Sequence, residues 1–317
     1  MTYVKIIAVS LVLLIFNYSC QKKEKTYRIG YISTNSEEEE IAQGFLKSMP
    51  KFGFIEGKNL NCVKCGDEKD IESALREMVA ENVDLIFTIT TPVTKMARKI
   101  TEGTDIPVVF AVYDPVESGL VNSLTKPGGN LTGVQLRGSV PKTVEWLLKV
   151  KPDAKHIFVP VKFDTGAATM SMEDLKESVA KAGLKMTVSE VATIKDLSAS
   201  LSSMPKDIDA IFIIHSIFIG SNMETIVNSA IKRRIPLVSS GHEHYKQGAV
   251  ISYSDSADHT GWQIAHLAGS ILRGSSPADL PVEIANFSLG VNLKTARSIG
   301  LQISEDVLQQ AENIIRE

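Results

Sequence analysis

Several groups of side chains in this 317-residue chain have the type and spacing to do chemistry. His242-Glu243-His244 sets two imidazoles around a carboxylate, ligands that suit Zn²⁺. His259 and His266 follow, but no third ligand has a compelling spacing, so a cleft-lining or surface loop competes with a metal site and no metal is assigned. Thr90-Thr91 stands directly before Pro92, a residue suited to the first turn of a helix. Their hydroxyls and the free N–H groups there can receive an anion such as a carboxylate, or act as an ordinary helix cap. Asp114 follows a buried run and precedes Pro115, where it can accept from a ligand ammonium or hydroxyl, or cap Val116 to Leu124. Glu37 to Glu40 reads as the solvated first turn of a helix, stabilised by the positive end of the dipole. Bordering a cleft, the same run would repel a carboxylate and favour a cation.

No glycine-rich phosphate loop, Gly-x-Ser-x-Gly elbow or His-Glu-x-x-His pair is present, and nothing nominates a nucleophile with its base. The chain is therefore read as a binder rather than an enzyme, without a cofactor.

The elements that must position these residues alternate. Arg28 to Ser33, Asn59 to Val63, Asp84 to Thr90 and Pro107 to Val112 read as strands, with helices over Glu37 to Phe52, Ile71 to Glu81 and Pro92 to Ile100 between them. The pattern restarts with helices over Pro141 to Val150, Ser171 to Ala182 and Met223 to Arg233. Strands over His156 to Val161, Lys185 to Val191, Ala210 to Ile214 and Pro236 to Ser239 accompany them. Strands apolar on both faces, separated by amphipathic helices, predict parallel sheets covered on both sides, hence an α/β protein of two doubly wound lobes. The strongest turn signal, Lys126-Pro-Gly-Gly-Asn130, predicts the joint between them. Open parallel sheets bind ligands at the carboxyl ends of their strands, and two such ends facing each other enclose a cleft. By position, the candidate contacts from the first lobe are Ser33, Thr34, Thr90, Thr91 and Asp114. Those of the second region are Phe163, His215, Ser240 and Asp255.

The amino terminus places the protein. Met1 to Lys5 has a single positive charge, Ile6 to Phe16 is an apolar run, and Ser19-Cys20 precedes Gln21-Lys22-Lys23-Glu24-Lys25. The run is shorter than the about 20 residues that span a bilayer, and with its flanks reads as a secretory signal over residues 1–19. A cysteine after a small residue suits bacterial lipoprotein processing, with Cys20 acylated and 20–26 as tether; a plain secreted protein or an uncleaved anchor is the alternative. Beyond it, 33 basic residues (34 less Lys5) face 37 acidic ones. That balance argues against a nucleic-acid partner, which calls for a basic stripe. Cys62 and Cys65 could bridge outside the cytoplasm. If they lie on one strand, however, their alpha carbons are about 10 Å apart, beyond the roughly 7 Å limit.

Longer stretches resemble a known family. Ile106-Pro-Val-Val-Phe-Ala-Val-Tyr-Asp-Pro-Val-Glu-Ser-Gly-Leu-Val121, continuing to Asn130-Leu-Thr-Gly-Val134, is similar to the substrate-binding proteins of ABC transporters associated with tryptophan and tyrosine uptake. So are Phe54-Ile-Glu-Gly-Lys-Asn59, Ile271-Leu-Arg-Gly-Ser-Ser-Pro-Ala-Asp-Leu-Pro281, Val291-Asn-Leu-Lys-Thr-Ala296 and Ile299-Gly-Leu301. The resemblance implies a type I periplasmic-binding-protein fold with three crossovers, closing on a small solute that is handed to a membrane permease. Residues 27–136 and 256–281 would form one lobe, and 137–255 and 282–317 the other. It departs from the family at Asn35-Ser36-Glu37-Glu38-Glu39, at Lys162-Phe-Asp-Thr-Gly-Ala-Ala168, at Ser216-Ile217 and at Ala257-Asp258. The first lobe keeps Thr90-Thr91-Pro92, Asp114-Pro115 and Gly133-Val134, while the second lobe's polar clamp is rewritten. The resemblance therefore does not by itself fix tryptophan or tyrosine as the ligand. A clamshell sensor reporting to a membrane signalling partner, and a metal-capture lipoprotein, are the rival readings to an importer's binding protein.

Overall fold

The computed structural model describes residues 25–64 and 70–317; the signal segment, Cys20 and Cys65 lie outside them, and with Cys65 the question of a bridge to Cys62. In the first lobe the chain runs through β1 (Tyr27–Tyr31), α1 (Ser36–Ser48), β2 (Leu60–Lys64), α2 (Ile71–Ala80), β3 (Leu85–Ile89), α3 (Thr91–Ile100), β4 (Val108–Val112) and β5 (Leu131–Gln135). It then enters the second lobe with α4 (Ser139–Val150), β6 (His156–Val161), α5 (Gly166–Lys181), β7 (Lys185–Glu190), α6 (Ile194–Ser203) and β8 (Ala210–Ile213). The short α7 (Ile217–Gly220), α8 (Met223–Arg233), β9 (Leu237–Ser239) and β10 (Ile251–Asp255) complete that run. α9 (Ala257–Leu272) and β11 (Glu283–Ile284) return to the first lobe, and β12 (Phe287–Asn292), α10 (Leu293–Ser298), α11 (Glu305–Gln310) and β13 (Asn313–Ile315) to the second.

The first sheet has the order β11-β5-β4-β3-β1-β2 and the second β13-β12-β10-β9-β8-β6-β7. All pairs are parallel except β10 with β12, an antiparallel pair that strand apolarity does not announce. Each strand divides its side chains between two cores, because successive residues point to opposite faces. Leu85, Phe87 and Ile89 join Phe45 and Ile264 on one side of the first sheet, while Ile86 joins Leu75, Met78 and Val93 on the other. In the second lobe Ile157, Val159 and Val161 face the core of α4 and α5, and Phe158 faces that of α6 and α8.

The chain crosses between lobes three times: after β5, after β10 and after β11. Two expectations shift. The joint expected near Lys126-Pro-Gly-Gly-Asn130 lies one strand further on: Gly128 and Gly129, with φ of 74° and 69°, turn the chain into β5, still within the first sheet. The crossover falls at Leu136–Gly138, where Gly138 takes φ 146°. The last crossover follows Ile284 rather than Pro281, since Glu283 pairs with Val134 of β5.

α9 is held against α1 by two glycines. A β-carbon on Gly44 would lie 2.6 Å from the Ala257 carbonyl oxygen, and one on Gly261 would lie 2.3 Å from the Phe45 amide nitrogen. The two backbones therefore touch, which fixes the third turn of α1 against the start of α9 just after the second crossover, where Ser256 caps α9 at the His259 N–H.

Candidate functional site

Each sheet reverses its winding once, between β1 and β3 in the first lobe and between β6 and β8 in the second. At such switch points the loops diverge and leave a crevice at the carboxyl ends. The two crevices face each other, so Ser33, Thr34, Thr90 and Thr91 lie on one wall and Phe163 and His215 on the other.

Thr90 adopts φ 68°, rare and strained for a β-branched residue. Its side chain does not cap α3, contrary to the ordinary-cap reading, and Thr91 beside it is half-buried; neither lines the inter-lobe cavity described below. Ser33 and Thr34 are engaged within their own loop. The Ser33 hydroxyl donates to Glu39, and Thr34 donates through N and Oγ1 to Glu38 Oε2 at 2.6 and 2.9 Å. Ser240 is fully buried, its hydroxyl donating to the Ile213 carbonyl. Phe163 remains exposed and does not line the inter-lobe cavity described below.

Asp114 caps the turn that follows it, and its other oxygen is taken by an arginine of this chain rather than left open toward the cleft. Oδ1 takes the N–H groups of Val116 and Glu117 at 3.0 and 2.8 Å, and Oδ2 takes Arg137 at 2.8 Å. Arg137, in the first crossover, was not singled out in the sequence. It also donates to Glu117 and grips Asp174 of α5 at 2.7 and 3.0 Å. Those four carboxylate contacts raise the guanidinium further above its usual range, Asp174 most of all. Tyr113 reaches the same Asp174 at 3.5 Å, and its ring meets that of His215 with centroids 4.9 Å apart. One signal could have found Arg137: it follows the carboxyl end of a strand, directly ahead of the glycine of the hinge.

A second inter-lobe contact is made by residues read as loop and solvated turn. His242 Nε2 lies 2.9 Å from Glu37 Oε2, and His242 has φ 40°, another strained position. Its ring neighbours those of His215 and His244, with centroids 5.9 and 6.0 Å away. Burial pushes the His242 proton affinity down, but the bond and charge of Glu37, helped by Asp255 and Glu40, outweigh it and lift the pKa to about 9. Burial and the neighbouring His242 charge hold His215 and His244 down to about 3. Glu37, despite burial, is held below the usual carboxylate range by His242. Within the run Glu37 to Glu40, then, only Glu40 remains exposed to solvent. Glu38 is buried on the Thr34 and Asn35 loop, Glu39 is drawn to Lys64 and Ser33, and Glu40 borders the cleft.

Between α1 and the loops after β8 and β9 lies a cavity of about 460 Å³, lined among others by Glu37, Glu40, Gly220, His242 and Asp255. Asp255, 4% exposed at the end of β10, has its carboxyl pushed up by burial and receives the Thr260 hydroxyl at 3.1 Å. Among the described residues no group of three or more His, Cys, Asp or Glu side chains is arranged to hold a metal ion. No helix among them is long and apolar enough to cross a membrane.

Two doubly wound lobes, three hinge crossings and a polar inter-lobe cavity define a clamshell binding protein. The chain belongs to the family described as ABC transporter substrate binding protein, which matches residues 29–315. It is similar to the tyrosine-binding protein of Clostridioides difficile, 27% identical over 89% of this chain and 82% of that one. A conserved domain protein from Vibrio cholerae superposes with a TM-score of 0.81 at 28% identity, covering 92% of this chain and all of that one. An ABC domain from Streptococcus pneumonia in complex with L-Trp superposes with 0.80 at 25% identity, over the same shares. The family is one of solute binders rather than enzymes, working outside the cytoplasm.

Proposed function

We propose that this protein is the lipid-anchored solute-binding component of an ABC importer, taking an amino-acid-like solute between its lobes and presenting it to a membrane permease. The observation behind this reading is the polar cavity between the lobes, lined by Glu37, Glu40 and Ile41 of the first lobe and by His242, Glu243 and the buried Asp255 of the second. The ligands of two of these relatives, tyrosine and L-Trp, support an amino acid over a sugar or an anion. Thr90, Thr91 and Asp114 are the proposed shared contacts, and His215 the proposed discriminator between solutes. Phe163 would lie along the solute at the cleft edge, while Ser33, Thr34 and Ser240 would shape the walls through the bonds they already make. Acylation of Cys20 would keep the protein at the membrane that holds the permease.

The test is a thermal-shift screen of the twenty amino acids, followed by small-angle scattering on any hit. A ligand bound only by the native state raises stability by about 2.7 kcal/mol at a hundred times its dissociation constant. A stabilising amino acid that also compacts the protein is the expected result; stabilisation without compaction refutes capture by closure.

A further inference from the structure

The cavity lining holds more negative charge than it neutralises. Its acids are Glu37, Glu40, Glu243 and Asp255, and its cations His242 and Lys246. His242 is matched to Glu37 at 2.9 Å and Lys246 to Glu243 at 2.6 Å. Glu40 and Asp255 are left over. Asp255 is 4% exposed, with the Thr260 hydroxyl as its side-chain hydrogen-bond partner among the described residues. A buried carboxylate facing a cavity is costly unless a cation or several donors reach it.

A separate observation points the same way. His244 is 2% exposed and its Nε2 has no hydrogen-bond partner. Its Nδ1 lies 2.7 Å from Ser239 Oγ, whose own proton goes to the Gly241 carbonyl at 2.9 Å. Nδ1 is then the donor, and Nε2 is left as a bare, buried acceptor. Gly220 in the cavity wall separates that atom from Glu37. A β-carbon there would lie 3.5 Å from His244 Nε2 and 3.1 Å from Glu37 Oε1. The buried Asp255 carboxylate in the lining and the buried His244 Nε2 behind Gly220 are thus both acceptors, while Ser36 and Gln247 also line the space and Ile41 and Ile217 supply an apolar flank.

We propose that this cavity is a subsite for a cationic, hydrogen-bond-donating group of the solute, so that the protein prefers a basic amino acid with an aliphatic stem to a neutral one. The ammonium would sit among Asp255, Glu40, Glu37 Oε1 and His244 Nε2, with its methylenes along Ile41 and Ile217. This inference rests on the proposed solute-binding function and narrows it.

L-Lysine and L-norleucine, the same chain without the amine, separate the two by calorimetry on the intact protein at pH 7. Lysine should bind at least tenfold tighter. In Glu40→Gln and in Asp255→Asn the ratio of the two affinities should fall at least threefold, with norleucine binding within twofold of wild type. A variant that merely disturbed closure would weaken both ligands alike and leave the ratio intact. Glu40 is exposed, so its variant keeps the test decisive should Asp255→Asn fail to fold. Norleucine, tyrosine or tryptophan binding as tightly as lysine, or a ratio unchanged in both variants, overturns the cationic subsite while the solute-binding function stands. Failure of every amino acid to bind overturns both.

Discussion

Raising the pH should release the contact between Glu37 and His242 and open the lobes. Glu37 begins α1 of the first lobe and His242 follows β9 of the second, so opening the cleft parts them and returns the histidine to its ordinary pKa near 6.5. In the closed form burial lowers the His242 pKa, but Glu37 in the main, with Asp255 and Glu40, brings it to about 9, while the neutral His215 and His244 rings flank it. From 6.5 to about 9 at 1.36 kcal/mol per pH unit gives a ceiling of roughly 3 kcal/mol. The His242 side chain keeps 35% and Glu37 29% of their accessible surface, so solvent screening brings the contribution to about 1 kcal/mol. Because the closed form raises the histidine pKa, this stabilisation is complete below pH 6.5, fades as the pH rises and is gone above about 9. Glu37, held below its usual range, contributes above about pH 4.5 and is lost on acidification. The ligand-free ratio of closed to open molecules should then fall about fivefold between pH 6 and 10, since 1 kcal/mol is about 1.7 RT. Energy transfer between dyes on α2 and α6 reads that ratio, with Glu37→Gln expected to start more open and lose the pH dependence. A closed fraction that is constant across this range, or a wild-type profile in Glu37→Gln, refutes the reasoning.

Gly261→Ala should destabilise the protein by about 1–3 kcal/mol, because the added carbon meets the α1 backbone at 2.3 Å and neither helix can yield without moving its sheet; chemical denaturation measures it, and a loss under 0.5 kcal/mol would show that the helices separate freely. Cys20→Ala should shift the protein from the membrane to the soluble extracytoplasmic fraction of its source cells; unchanged attachment with an unchanged amino terminus excludes lipidation there.

The alternation of apolar strands with amphipathic helices was enough to name two doubly wound lobes, because burial on both faces and helical periodicity are local patterns that survive in one dimension. The family was legible for a related reason, since the segments at Asp114-Pro115 and Pro127-Gly-Gly-Asn130 build turns whose geometry only a few residue types satisfy. What local pattern could not supply was partnership. Pro127-Gly-Gly129 was read as the joint because turn propensity says that the chain turns, not which strand it enters next; β5 settles that by pairing with β4. β11, two residues long, and the antiparallel β10 and β12 pair have too little sequence to announce themselves. Glu37 was assigned to solvent on its helix dipole, a correct local argument, but α1 is pinned to α9 through Gly44 and Gly261 and its first turn is carried against His242, 205 positions away. Arg137 and Asp174, 37 residues apart, meet only because β5 ends where α5 passes. Composition and periodicity thus determined the two sheets and their layers, whereas the charges that face the cavity were decided by which helices and loops the tertiary fold brought across the cleft.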